Sequence, residues 1–152
     1  MDRNGVTLIE LVMVIVLIGI IAAFVMPMLG NITTTEAGSF TDKLRADMRY
    51  AQDLAMTQSQ RVQVNFTANS YSITIAGNPI VDPSNGRNYP VTLGTGEYAG
   101  ISLSNTFGGS IVIFDSLGGP YDSNGALTAN QSVTVAPVGH TITVTMQTGA
   151  VN

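Results

Sequence analysis

A chain of 152 residues with ten acids, six bases, one histidine and no cysteine has room for one small domain and no means of building a disulfide staple or a thiolate metal centre. Its formal charge of -4 leaves no basic face of the kind that duplex nucleic acid demands. Stability has to come from packing.

The first predicted element is an apolar helix that begins almost with the chain. Gly5 to Leu29 reads GVTLIELVMVIVLIGIIAAFVMPML, and no charge falls between Leu11 and Leu29. At about 1.5 Å per residue this uncharged stretch extends roughly 28 Å, close to the ~30 Å hydrocarbon core of a bilayer. It is long enough to span a membrane. One acid, Glu10, stands at its mouth. A carboxylate near the centre of a membrane helix costs about 2.5 to 3.5 kcal/mol, so Glu10 needs a place among headgroups, the positive end of the helix dipole, or a cationic partner. A cut between Gly5 and Val6 would create such a cation, an α-amino group one helical turn away. The leader Met1 to Gly5 is too short for an ordinary secretory signal, whose apolar region precedes its cleavage site. Arg3 is the side-chain cation ahead of the span, and the positive-inside rule then puts the N-terminus in the cytoplasm and the rest outside it.

The run Gly5-Val6-Thr7-Leu8-Ile9-Glu10-Leu11 resembles the processing signal of type IV prepilins and type II secretion pseudopilins. The resemblance implies that prepilin peptidase cuts after Gly5, that Val6 becomes an N-methylated N-terminus, and that Glu10 guides filament assembly. Gly19 and Pro27 fall where that family keeps its helix-loosening glycine and proline. Val6 departs from the phenylalanine most common at its position, where other apolar residues also occur.

After a polar break at Gly30 to Thr35, the stretch from Glu36 to about Gln58 is amphipathic, with Phe40, Leu44, Met48, Ala51 and Ala55 at helical spacing. Lys43 with Asp47 and Arg49 with Asp53 are i,i+4 pairs, each worth about 0.2 to 0.5 kcal/mol, and read as a solvated face. Pro27 removes a backbone donor, which predicts a bend or a melted stretch between Gly19 and Gly30. Beyond Arg61 the pattern alternates. Val62, Val64 and Phe66, then Tyr71, Ile73 and Ile75 after a TANS turn, predict a hairpin. Further strands are expected at Ile101 to Leu103, Ile111 to Phe114, Val133 to Val135 and Ile142 to Met146, between turn-forming clusters. Residues 76–100, rich in Gly, Pro and Asn, read as a long loop or irregular edge.

These elements predict an α+β fold: a long N-terminal helix, with a membrane half and an amphipathic half, packed on a C-terminal antiparallel β-sandwich-like domain. The expected division is 1–5 leader, 6–29 membrane and assembly helix, 30–61 amphipathic half and 62–152 globular domain. Leu44-Arg45-Ala46-Asp47-Met48-Arg49-Tyr50-Ala51-Gln52, then Ile113-Phe114-Asp115 leading through Gly118 to Thr148-Gly149-Ala150-Val151, are similar to the pseudopilin H and FimT family of minor pilin-like subunits. That likeness covers nearly the whole chain.

No nucleophile elbow, H-E-x-x-H or phosphate-binding glycine loop is present, and His140 reads as a turn or edge histidine, so catalysis is not expected. Asp115 and Asp122-Ser123-Asn124-Gly125 carry oxygen ligands, but the spaced acids and distal glutamate of a calcium loop are missing. Neither cofactor nor metal is expected, and no nucleic acid. The resemblance implies a single-pass inner-membrane protein with a periplasmic C-terminal domain, later part of a filament, whose partners are prepilin peptidase and other pilin or pseudopilin subunits. The expected role is that of a minor structural subunit of a type IV-like filament, a type II secretion pseudopilin working in protein export across the outer membrane; the alternatives are a minor type IV pilin that primes pilus assembly and a membrane-tethered module whose loops Gly94 to Gly100 or Gly118 to Gly125 hold secreted cargo or a surface ligand.

Overall fold

The computed structural model describes residues 7–29 and 32–152, with side chains from 7 to 24 and from 34 onward. Contacts divide the chain into two compact units, Met1–Ile32 and Thr33–Asn152. The first holds helix α1, Leu8–Leu29, which is helical without interruption through Gly19 and Pro27.

Helix α2 runs Ile32–Gln58, starting ahead of the Glu36 boundary expected from periodicity. Once burial fixes the turn around Ala37, extending the helix backwards adds hydrogen bonds at little further entropic cost. Ala37, Phe40, Leu44, Met48, Ala51 and Ala55 are all fully buried. Steps of three and four residues put them on one side of the helix. The helix ends in a Schellman turn: the Gln60 N–H donates to the Ala55 carbonyl at 3.2 Å, and Ser59 takes the left-handed conformation at φ 53°, the position that usually belongs to glycine.

Ten strands follow: β1 Val62–Thr67, β2 Ser70–Ile75, β3 Asn78–Pro79, β4 Val91–Thr92, β5 Ser102–Asn105, β6 Ile111–Phe114, β7 Pro120–Asp122, β8 Gly125–Ala126, β9 Gln131–Ala136 and β10 His140–Val144. All pairings are antiparallel. The larger sheet has the order β3-β2-β1-β6-β7-β8, with β4 sharing the β2 edge, and the smaller sheet has the order β10-β9-β5. The expected hairpin closes at Thr67↔Ser70. Alternation then decides which side chains turn inward. Val62, Val64, Phe66, Tyr71, Ile73, Val112 and Phe114 from the larger sheet join Leu103, Val133, Val135, Ile142 and Val144 from the smaller one and the α2 stripe in a single buried cluster.

The 76–100 segment is an irregular edge. Strands β3 and β4 pair with β2, Val81 bridges Asn88, and Tyr89 and Leu93 are buried. Strands β7 and β8 escape the periodicity argument because Pro120 and Gly125 open segments too short to alternate.

The C-terminal segment is clasped to α2. Arg49 donates from Nε and Nη2 to the Val151 carbonyl at 3.0 and 2.8 Å. The Gln52 amide donates to the carbonyls of Gly118 and Thr148, both at 2.9 Å. Gly149, at φ 67°, packs so closely that a Cβ there would stand 2.3 Å from the Gly118 carbonyl oxygen. Gly149→Ala is therefore expected to lower unfolding stability by more than about 2 kcal/mol, combining left-handed strain with a backbone clash. Ser59→Gly should shift stability the other way by about 0.5 kcal/mol, since it relieves the same strain in open space. Urea titration followed by tyrosine fluorescence reads both.

Candidate functional site

Two groups of residues carry chemistry, and each compact unit holds one. In α1, Thr7 precedes the first helical residue and caps it. Its Oγ1 accepts the Glu10 N–H at 3.4 Å, and its carbonyl accepts the N–H groups of Glu10 and Leu11 at 3.1 and 3.2 Å. Thr-x-x-Glu is the capping-box spacing, which satisfies donors that a helix start otherwise leaves orphaned. The Thr7 pattern was legible but overshadowed by the cleavage signal around it. Glu10 is exposed in the first turn.

Every described side chain of α1 is exposed, from Leu8 at 81% to Phe24 at 74%. Such a helix, apolar all round, shows no buried side among the described residues. Among the described residues no helix is long and apolar enough to cross a membrane. A Cβ on Gly19 would meet nothing within 4 Å. Gly5 and Val6 lie outside the described residues.

The second group lies between α2 and the 76–100 edge. Lys43 Nζ is 2.9 Å from Asp47 Oδ2, 2.7 Å from Asp82 Oδ2 and 3.2 Å from Ser84 Oγ. The Tyr71 hydroxyl donates a short hydrogen bond to the Asp47 carboxylate. Asp82 further accepts the Ser84 N–H at 2.8 Å, the Ser84 hydroxyl at 2.6 Å and the Asn85 amide at 3.1 Å. Both carboxylates are buried, Asp47 at 5% and Asp82 at 2% exposure. The Lys43 and Asp47 charges therefore form the expected pair but not a solvated face. Asp47 lies three residues after Leu44 and four before Ala51, on the buried side of the stripe, and that spacing was the signal for it. Arg49 does not pair with Asp53 and goes to the Val151 carbonyl instead. Asp82 could not be found this way, because Val81-Asp82-Pro83-Ser84-Asn85-Gly86 reads only as a turn.

Burial alone would raise the Asp82 pKa, but the hydrogen bonds from Lys43 and Ser84 outweigh it and hold the carboxyl below its ordinary 3.8. For Lys43, burial would lower the value, and the bonds to Asp82 and Asp47 carry it above 10.5. Burial first and the Asp47 charge second push the Tyr71 hydroxyl up, and Tyr89 in the same way. Tyr89 Oη is buried without a hydrogen-bond partner.

The remaining candidates are engaged locally. Asp115 Oδ1 accepts the N–H groups of Leu117 and Gly119 at 2.9 and 2.8 Å, and Asp122 accepts those of Gly108 and Asn124 at 2.9 and 2.7 Å. His140 is exposed at the start of β10. Among the described residues no group of His, Asp and Glu is placed to hold a metal.

Residues 41–149 match the family model described as type II transport protein GspH, and residues 1–26 match the prokaryotic N-terminal methylation motif. The chain belongs to the GspH family. Comparison with the curated proteins finds no match. Among solved structures, the chain is similar to the type IV minor pilin FimU of Pseudomonas aeruginosa (strain PAO1) in two crystal forms. In space group P21 the TM-score is 0.56 at 14% identity, covering 78% of this chain and 88% of that one. In P65 it is 0.51 at 13% identity, covering 78% and 90%. The pilin-like α+β fold expected from sequence is thus the fold found. Family and fold are those of pilin and pseudopilin subunits, which are structural proteins, and the methylation motif places the chain among membrane-anchored proteins that enter filaments.

The ion cluster sets the pH response of this GspH-family domain. The Asp82 contribution is complete above the ordinary carboxylate range and is lost as pH falls through its depressed folded value. That of Lys43 is complete below its ordinary range and is lost as pH rises through its raised one. A plateau between about pH 5 and 9 follows. Asp82→Asn should cost about 2 kcal/mol on that plateau by removing one of the two carboxylates that hold Lys43. The gap between wild type and variant should narrow as pH falls below about 4, where the unfolded chain takes up its proton, and close below the depressed folded value of Asp82. Denaturation midpoints across pH test this, and a gap constant down to pH 2 would contradict it.

Proposed function

We propose that this chain is a minor structural subunit of a type IV-like filament, working as a type II secretion pseudopilin in protein export across the outer membrane. The carrying observation is α1, a helix with exposed apolar side chains on every face and one acid, Glu10, in its first turn, inside a methylation motif. In this reading residues 1–5 are a leader that prepilin peptidase removes after Gly5, and Val6 is then N-methylated. The segment 6–29 holds the protein in the inner membrane as a single pass, 30–61 continues as the amphipathic half, and the globular part, 62–152, faces the periplasm.

Assembly then moves α1 from lipid into a bundle of helices from sister subunits, so apolar burial is retained while the surroundings change. Glu10 pairs with the Val6 ammonium of a neighbour, a contact strengthened by low dielectric and able to fix axial register. Methylation leaves that cation in place. The open space around Gly19 suits close helix approach, and Pro27 gives a point where α1 loosens on assembly. The name of the matched family supports a secretion role. The FimU likeness supports a second reading, a minor type IV pilin that primes pilus assembly.

Deleting the gene in its own host and scoring extracellular enzyme activity beside surface filaments separates the two. Lost secretion with intact pili is expected. Lost or altered pili with normal secretion would establish the minor pilin, and no change in either would leave only a tethered binding module. Glu10→Gln is expected to abolish filament entry while the circular dichroism of the β-domain stays unchanged. Mass spectrometry should find a methylated Val6 at the N-terminus, and an intact Met1 in the assembled protein would refute the processing step.

A further inference from the structure

The cations of the β-bearing unit are mostly committed internally. Lys43 and Arg45 pair with carboxylates, and Arg49 holds the Val151 carbonyl. Arg61 differs. Its guanidinium carbon sits 5.3 Å from the centroid of the Tyr121 ring, and among the described residues it has no carboxylate partner. It lines an open cleft of about 330 Å³ with Gln60, Gln63, Thr74, Ala76, Gly77 and Ile113. No acid is among them. In a chain with ten acids against six bases, a cleft whose only charge is a guanidinium is chemically distinct from the rest of the surface.

The backbone explains how the arginine is aimed. The Schellman turn at Ser59 ends α2 and delivers Gln60 and Arg61 to the cleft just before β1 starts. On the opposite side, Ala76 and Gly77, at φ 50° and 83°, make the tight turn between β2 and β3. The cation–π contact with Tyr121 takes none of the guanidinium N–H donors, which stay available. Asn65 Oδ1 takes one donor of the Gln63 amide, and Thr74 is held by the Asn65 amide at 3.3 Å. The polar wall is therefore ordered before anything binds.

We propose that this cleft is a binding site for a small carboxylate-bearing ligand, with the Arg61 fork as the charged anchor, the Gln60 amide as a neutral donor and Ile113 as the apolar floor. One guanidinium matches the single charge of a carboxylate, and planar bidentate pairing is the geometry for which arginine is suited. The volume is that of a ligand of amino-acid or sugar-acid size, at the small end of ordinary pockets. The proposal does not depend on the filament reading, because none of these residues belongs to α1.

The test is a titration of the ¹⁵N-labelled full chain in nonionic detergent micelles with N-acetylalanine, its neutral amide N-acetylalaninamide, and glucuronate. Saturable shifts of the Arg61 Nε–H and the Gln60 side-chain amide are expected with at least one of the acids and not with the amide. Whichever acid responds identifies the amino-acid or the sugar-acid source. Arg61→Gln should weaken binding about tenfold or more, and Arg61→Lys, which keeps the charge without the fork, should fall between. Should the glutamine variant fail to fold, the lysine variant carries the comparison. Equal shifts with acid and amide, no saturable shift with either acid, or unchanged affinity in the folded variants would overturn the site.

Discussion

Both sheets depend on one face of α2. The stripe from Ala37 to Ala55 is the helical contribution to a core that the larger and smaller sheets share, so neither sheet has a separate apolar interior. Phe40 makes this concrete: its ring meets Tyr71 of β2 edge-on at 6.0 Å and Tyr98 of the 76–100 edge at 5.0 Å. Truncating a buried aromatic of this kind costs about 3 to 5 kcal/mol, a large part of the stability a domain of this size possesses. The polar contacts of α2 have a different job. Arg49 and Gln52 reach backbone carbonyls near the C-terminus, and Lys43 reaches Asp82. Burial sets where the sheets lie, and these donors hold the irregular segments that the strands leave loose.

What could be read in advance follows from the range of the interactions. Phe40, Leu44, Met48, Ala51 and Ala55 were legible because a helix repeats its buried side every three or four residues, and β1, β2, β6 and β9 were legible because alternation needs no partner to be seen. The Thr7 cap and Glu10 lie within one turn of each other. By contrast, Lys43 and Asp82 are far apart in the chain, and nothing in the turn around Asp82 announces a buried carboxylate. The solvated-face expectation for Lys43 and Asp47 failed for the same reason: an i,i+4 pair gives the spacing of two charges but not which of them the tertiary fold covers. Arg49 was misassigned because a backbone carbonyl more than a hundred residues later in the chain has no sequence signature.

The two units obey opposite rules. The β-bearing unit buries nearly all of its alternating apolar positions, whereas α1 leaves every described side chain exposed. An apolar helix in that condition is stable only where something else takes water's place, and lipid and a bundle of similar helices are equivalent in that respect. Transfer between them would cost little apolar burial, so in the reading proposed above one segment can serve as anchor and then as assembly element. The acid in the first turn breaks this equivalence. Lipid offers Glu10 a nearby interface, while a dry bundle would leave it unpaired unless a cation were supplied, which in the reading proposed above is the α-amino group freed at Val6.

Charge use in the β-bearing unit constrains its partners by the same logic. Lys43, Arg45 and Arg49 are committed to intrachain acceptors, and each would have to break a contact before meeting anything outside. Arg87, exposed, and Arg61, held over Tyr121, are the cations free of that cost. A polyanion such as duplex nucleic acid, which needs many phosphates neutralised at once, would have to break those three contacts to use the other cations. A single carboxylate needs only one. The surface of this GspH-family domain is therefore suited to discrete, geometrically defined ionic contacts, and of the two cations free to make one without breaking another, Arg61 is the one whose cleft is lined by no acid.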